Sequence, residues 1–292
     1  MAFKDIRKSR KWLSAEEIRL LALILFVLIA VLAGNITLTR ILPGGEWLFM
    51  RWSGARAFFA AQAEAAREGQ MGVRRMPDGP ATILVEHTEP YGTEIAQQTQ
   101  DVAYGRPAFS SEYGFVLNDP FFIVLLYTPL AFLPDFNLVR ALWMFLSELA
   151  LVGTMLFAFR LAEWEPPRWV YIFLFVFGLF SYFSVNALAT GTPTIILAFL
   201  YLWILTALRS HSDELAGALL VLVAYQWEIG GLFFLFILFY VFAHRRWNVL
   251  VGFAMALFLL VIISFLIYPG WGLPYIRAVL SDWYRGATMT FS

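Results

Sequence analysis

Hydrophobic positions come in long blocks rather than in the short alternations of a soluble domain. An apolar run from Leu20 to Ile36 is followed by a mixed stretch, 37–117. From Pro120 onward the chain is almost wholly apolar: Pro120 to Pro134, Leu138 to Phe159, Trp169 to Val185, Thr192 to Leu208, Leu215 to Ala243 and Val249 to Tyr268. A hydrocarbon core about 30 Å thick takes roughly 17–25 apolar residues of helix, so the blocks predict an all-α polytopic membrane protein of about seven or eight membrane segments. The 215–243 block runs for 29 residues with Gln226-Trp227-Glu228 near its middle. That is long for one crossing, so two helices are expected, 215–226 and 229–243.

Charge between the blocks orients them. Lys4, Arg7, Lys8, Arg10, Lys11 and Arg19 precede the first run, the pattern of a cytoplasmic N-terminus. A cleaved signal peptide is the rival reading, but no small-residue cleavage site stands before Arg40. Arg160 with Arg168, then Arg209, then Arg245 with Arg246 should also be cytoplasmic, which requires Leu138 to start outside. Pro120–Pro134, broken by Pro129, is then either a re-entrant hairpin covered by protein or a short span. The expected organisation is a basic cytoplasmic N-terminus (1–19), a first transmembrane helix (20–36), a long extracytoplasmic loop (37–117), a membrane helix bundle (118–268) and an extracytoplasmic C-terminal segment (269–292). Glu46, Asn118-Asp119, Asn186 to Thr192 and Gln226 to Glu228 all fall on the outer face.

Within the loop, Leu48, Trp52, Ala55, Phe59 and Ala63 recur at helical spacing, with Glu46, Ser53, Ala57 and Glu64 opposite. A helix lying on the membrane surface is expected there. Gln70 to Thr88 has no strong period and reads as an irregular or hairpin excursion.

Composition agrees with a membrane class: of 292 residues, 60% are hydrophobic, 18% aromatic and 14% charged. Mean hydropathy is +0.70. The formal net charge of zero gives no reason to expect nucleic acid, and the absence of cysteine excludes disulfides, thiolate metal sites and cysteine nucleophiles. His87, His211 and His244 have no ligand spacing, so no metal centre is expected.

A few polar residues carry the candidate chemistry. Glu46 follows a Pro-Gly-Gly turn at once. It is either a helix N-terminal acid that complements the helix dipole or a general base at the membrane interface. Gln226 and Glu228 interrupt an apolar block, which makes Glu228 a functional candidate. Glu148 lies deeper, and pairing with a neighbouring helix is its expected role. Arg106 and Arg140, both outside by this topology, could hold an anionic phosphate.

These features gain from a resemblance. GFVLNDPFFIVLLYTPLAFLPDFNLVRALW (114–143), with PGGEW (43–47), EPYG (89–92), QQTQDVAYGRP (97–107) and GALLVLVAYQWEIGGLFFLFILFYVFAHRRW (217–247), resembles the family-87 glycosyltransferases. These are membrane enzymes of the GT-C superfamily, which includes bacterial polyprenyl-phosphate-dependent mannosyltransferases. Family members usually show Gly-Gly-Asp-Phe after the first span, then Pro-Tyr, then Tyr-Pro-Pro with Pro-Leu and Leu-Pro behind it. Here these are Gly44-Gly45-Glu46-Trp47, Pro90-Tyr91, Asn118-Asp119-Pro120, Pro129-Leu130 and Leu133-Pro134. The family's Gly-Gln stands as Gly191-Thr192 and its Lys-Pro as Gln226-Trp227, which replaces a phosphate-pairing charge by a neutral hydrogen-bonding group.

The resemblance implies a GT-C-like helical bundle in the bacterial cytoplasmic membrane, N-terminus inside and active face outside. It implies Glu46 as the catalytic base, and Arg106, Asn118, Asp119, Arg140, Gly191, Thr192, Gln226 and Glu228 as substrate-binding candidates. The implied reaction moves a mannose-like hexose from a polyprenyl-phosphate donor to a glycan, lipid or protein acceptor, with inversion and without cofactor or metal. Family members usually continue for several spans past the position of Ser292. With the altered motifs, this implies as the alternative a truncated or degenerate, inactive relative acting as a structural or assembly subunit of a larger membrane complex. Broken helices also suggest a transporter, though no inverted repeat relates the halves. A flippase or lipid-binding protein would keep the groove and tolerate Glu46→Gln.

Overall fold

The long apolar blocks form helices, and polar or glycine breaks end them. The computed structural model describes residues 15–67, 89–109 and 112–290, among which every regular element is helical. The Gln70–Thr88 excursion, His87 and the basic residues from Lys4 to Lys11 lie outside the described residues. Helix α1 (Ala15–Ile41) is followed by α2 (Glu46–Arg67) and α3 (Thr93–Tyr104). A short broken helix comes next: α4 (Phe121–Val124), a 3₁₀ turn (Leu125–Tyr127) and α5 (Thr128–Ala131). The rest of the bundle is α6 (Phe136–Ala162), α7 (Arg168–Phe180), α8 (Tyr182–Thr190), α9 (Thr194–Arg209), α10 (Asp213–Ala224), α11 (Trp227–His244), α12 (Trp247–Ile267) and α13 (Gly272–Thr290).

Local chemistry sets several boundaries. The Asp135 carboxylate accepts from Asn137 N at 2.9 Å and caps α6, and Ser181 Oγ accepts from Ser184 N at 3.3 Å where α7 gives way to α8. Both satisfy backbone donors that a helix N-terminus leaves open. The 215–243 block is divided as expected, with the break at Tyr225-Gln226.

Four helices are long and apolar enough to cross a membrane: Glu16–Ile41, Phe136–Ala162, Trp227–His244 and Trp247–Ile267. The bent pair α7 and α8, at 47° to each other, makes a fifth if it is one span. The other segments expected from sequence are short: Phe121–Ala131, the 16-residue α9 and the 12-residue α10. At 1.5 Å per residue the last two reach only about 24 Å and about 18 Å. The chain is a polytopic helical membrane protein on this count.

Helix α1 inverts the soluble pattern. Its apolar side chains, from Leu20 to Ile29, are largely exposed, while the polar Asn35 and Thr39 are buried. Asn35 Nδ2 donates to Glu148 Oε2 at 2.9 Å, so Glu148 pairs with a neighbouring helix as the sequence suggests. An acid in a membrane segment needs such a donor, because lipid supplies none.

Helix α2 forms where the apolar spacing predicts it, but protein covers both of its sides around Arg51–Ala55. Ser53, on the side expected to be polar, is only 6% exposed, and Arg51 only 3%. The reason is the segment that follows residue 117. Asp119 reaches Arg51, Trp52 Nε1 donates to Leu130 O at 3.0 Å, and Arg56 Nη1 donates to Ala131 O at 3.2 Å. Helix α2 therefore joins the core with Phe121, Ile123, Val124, Tyr127, Val139 and Trp143.

Helices α10 and α12 approach at backbone distance. A Cβ on Gly217 would run into Val249 O and lie 2.6 Å from Phe253 N, and one on Gly252 would run into the Glu214 carbonyl. Small residues at such crossings let helices associate in lipid, where there is no hydrophobic drive between them. Gly217→Ala is expected to lower stability by about 1–3 kcal/mol, the usual cost of overpacking. Gly34→Ala, with nothing within 4 Å of the added carbon, should not. Thermal unfolding in detergent compares the two.

Three basic connections meet at one end of the bundle. Arg209 donates to Leu161 O at 2.9 Å and pairs with Glu163; Arg246 donates to Leu208 O at 2.7 Å and pairs with Asp213. The candidate residues gather at the opposite end.

Candidate active site

Three glycines and one arginine build the turn that carries Glu46. Gly44 and Gly45 have φ of 129° and 86°, and Gly191, which ends α8, has φ of 75°. All three lie where side chains are disfavoured. Space is closed as well. A Cβ on Gly44 would lie 2.5 Å from Ala189 O, and one on Gly191 would lie 2.7 Å from Leu48 Cβ. Gly45 N donates to Ala189 O at 2.9 Å, tying the turn to the end of α8. Arg140, from the first turns of α6, donates to Leu42 O (2.6 Å), Pro43 O (3.0 Å) and Ala189 O (3.2 Å). Glu46 thus starts α2 at a place set by three other segments. It is half-buried, lies within the field of Arg140, and among the described residues its carboxylate accepts no hydrogen bond.

One helical turn further along α2 is a second node. Trp47 O accepts from Arg51 Nη1 at 3.1 Å, and Arg51 Nε lies 2.6 Å from Asp119 Oδ2. That contact is an ion pair by distance without hydrogen-bond alignment; Nη2 donates to Oδ1 at 3.4 Å. Burial pulls the Arg51 guanidinium down, but Asp119, with Tyr127 and Tyr225 behind it, outweighs burial and holds Arg51 above its ordinary value. Asp119 O also accepts from the Tyr91 hydroxyl at 3.0 Å, and Asn118 Nδ2 donates to Asp282 Oδ2 on α13 at 2.8 Å. The Asn118-Asp119 pair is therefore a hub for α2, the segment before α3, and α13. Burial, then Asp119, raises the Tyr91 phenol, so Tyr91 remains a donor.

Aromatic rings connect the two nodes. Trp47 packs on Tyr113 at 4.7 Å and on Phe115 at 5.5 Å. Tyr113 is pushed up by burial, then by Asp282 and Glu228, which places the exposed Glu228 in the field of the same cluster. Gln226 sits at the break before α11 with a buried Oε1 that has no hydrogen-bond partner among the described residues. Half-buried Thr192 lies beside Gly191, its hydroxyl 3.2 Å from that of Thr194. Among the described residues no three His, Asp or Glu side chains are grouped to hold a metal ion.

Arg106 and Arg140 have partners within the chain. Arg140 serves the turn carbonyls. Arg106 makes a two-pronged pair with Glu112, Nη2 to Oε1 at 2.7 Å and Nη1 to Oε2 at 2.8 Å, and covers the Phe109 ring at 3.7 Å. Phe109 N also donates to Glu112 Oε2, and Arg106 then this bond hold the Glu112 carboxyl down at about 2 from an ordinary 4.5. A depressed acid gives order that is full above its unfolded pKa and lost as pH falls through the folded one. Protease resistance of the chain between Gly105 and Phe109 should therefore weaken from about pH 4.5 and be gone near pH 2. Glu112→Gln should be cleaved readily at pH 7 and respond little to acid.

Arg51, Tyr113 and Asp282 are not visible as site residues in the sequence. For Arg51 there is a signal: a lone cation among Trp47, Leu48, Met50 and Trp52 calls for a counter-ion if that helix is covered. Asp282 has none, being 164 positions from Asn118.

The class so defined is a helical membrane bundle that sets Glu46 beside a closed glycine turn and the Asn118-Asp119 hub. The family model of glycosyltransferase family 87 matches residues 117–292, more than half of the chain, and the chain belongs to that family. The match includes the Asn118-Asp119 hub, Arg140, Gly191 and Gln226–Glu228; Glu46 and Arg106 lie before it. No curated protein and no solved structure matches the chain.

Proposed function

We propose that the chain transfers a mannose-like hexose from a polyprenyl-phosphate donor to an acceptor hydroxyl on the outer side of the bacterial cytoplasmic membrane, with inversion. Family membership supports transfer of a sugar. The observation that carries the mechanism is Glu46: a carboxylate fixed by the glycine turn, with its oxygens free of hydrogen bonds among the described residues. A base must keep a lone pair for the proton it will take.

In this reading Glu46 accepts the acceptor's hydroxyl proton as that oxygen bonds to the anomeric carbon. The bond from that carbon to the phosphate oxygen breaks on the opposite face, and polyprenyl phosphate leaves with the electron pair. A cation near the leaving oxygen stabilises the developing charge. Arg106, with 40% of its side chain exposed, is the accessible candidate and would exchange Glu112 for the phosphate. Asn118, Asp119, Thr192, Gln226 and Glu228 supply hydrogen-bonding groups for the sugar or acceptor.

Reconstituted protein supplied with labelled polyprenyl-phosphate hexoses should yield product of inverted anomeric configuration, read by NMR. Retention would overturn the single-displacement mechanism, and no transfer from any of several donors would overturn the activity. A second reading, an inactive relative serving as a subunit of a larger membrane assembly, is favoured by Gln226, which brings no charge where the family resemblance has lysine. Co-purification of the inactive protein with one assembly would decide for it.

A further inference from the structure

Arg140 is engaged with main chain at this end of the bundle. Its Nη1 and Nη2 donate to three backbone carbonyls, Leu42, Pro43 and Ala189, which belong to two segments far apart in sequence. The side chain is also walled in. Arg140 is 4% exposed, and its Nε is buried without a partner among the described residues. An added carbon on Gly44 would lie 2.8 Å from Nη2, and one on Gly45 would lie 2.9 Å from Cδ. A phosphate could reach the guanidinium only by displacing the Pro-Gly-Gly turn that leads into Glu46.

We infer that Arg140 is a positioning residue for Glu46, clamping the 42–45 turn to the end of α8, and not a ligand of the donor phosphate. The inference rests on Glu46 being the base. The planar guanidinium suits the task because its fixed fork of donors meets several acceptors at once with little loss of side-chain freedom. Main-chain carbonyls are good partners because they cannot rotate away. The glycines belong to the same device: with no side chains at 44, 45 and 191, turn, α8 and α2 meet at backbone distance. Helix α6 thereby sets the height of Glu46 relative to the bundle.

The effect expected is on turnover. A displacement of about 1 Å at a reacting group costs roughly 10²-fold in rate. Arg140→Gln should lower kcat on that order with donor KM essentially unchanged. Arg140→Lys should recover part of the loss, since an ammonium offers three donors without the fork. A direct phosphate ligand would behave otherwise, with donor KM rising at least as steeply as kcat falls.

The absence of native cysteine allows a readout that does not depend on activity. Spin labels on Leu42→Cys and Ala189→Cys, both exposed positions, should show strong dipolar broadening in the otherwise native protein and lose it in Arg140→Gln. Preserved broadening in that variant would overturn the clamp, and so would a selective rise in donor KM. If broadening is lost while Glu46→Gln keeps full activity, the clamp stands as structure and the reading of Glu46 as base is what fails. Should Arg140→Gln not accumulate, Gly44→Ala strikes the same joint from the other side. It must lower kcat at constant donor KM, and normal turnover there would sink the inference.

Discussion

Glu46→Gln is expected to reduce sugar transfer by about 10²–10⁴-fold, the usual contribution of a positioned base. The amide matches the carboxylate in shape and cannot take the proton. Little else should change. Glu46 sits in the first turn of α2, where a negative charge complements the helix dipole by about 0.3–1 kcal/mol. The variant should therefore accumulate, unfold within a few degrees of wild type and remain inactive. Glu46→Asp should keep a measurable fraction of activity, because it retains the base one methylene short. An equally active amide variant would remove Glu46 from the chemistry and leave it as a helix-terminal acid. The comparison is clean because, among the described residues, no hydrogen bond to the carboxylate is lost.

The largest stability effect should come from Asp119→Asn. Arg51 is 3% exposed and its counter-ion is Asp119. Removing one charge of a buried pair leaves the other uncompensated, at a cost of about 3–5 kcal/mol. Against a typical total of 5–15 kcal/mol this is a large share. Removing both charges, as in Arg51→Met with Asp119→Leu, should recover most of the loss, because desolvation then disappears from both sides. A double-mutant cycle in detergent measures the coupling. If the single variant unfolds with the wild type, the pair is hydrated in solution and does not organise the hub. Activity should fall with stability in Asp119→Asn, since the same turn holds Tyr91 and α13.

Sequence pattern reaches far into the bundle and less far into the site. The α6, α11 and α12 blocks are legible because lipid selects long apolar runs, and the break at Gln226 because its block exceeds one crossing. Glu148 is legible by elimination, since an acid at that depth must have a partner. Helix α2 was readable as a helix but not as a buried one: its apolar stripe says which side packs, and nothing local says that 118–133 closes over the other. The roles of Arg51 and Arg140 share that cause. A cation on an outer segment suggests an anionic ligand, whereas here the partners are Asp119 and three carbonyls contributed from far along the chain. The Arg106–Glu112 staple is illegible for a different reason, because six residues apart in irregular chain is no recognisable spacing. Family membership locates the chemistry in general, through a match that begins only at residue 117 and so leaves Glu46 to the resemblance of its Gly-Gly turn.

The end of the bundle away from Glu46 has a mechanical consequence. There α6, α9, α10 and α12 are sewn together through short connections, by Arg209 to Leu161 and Glu163 and by Arg246 to Leu208 and Asp213. Helices fastened at one end spread as the blades of a fan spread, with least travel near the rivet and most at the rim. The rim is where Glu46, Asn118, Gly191 and Glu228 are found. At that rim Arg140 and Asn118 hold neighbouring segments by hydrogen bonds of their own, so spreading there works against those bonds. Severing the rivet with Arg246→Gln should thus loosen the junction of α9, α10 and α12 and leave the rim held by its own bonds alone.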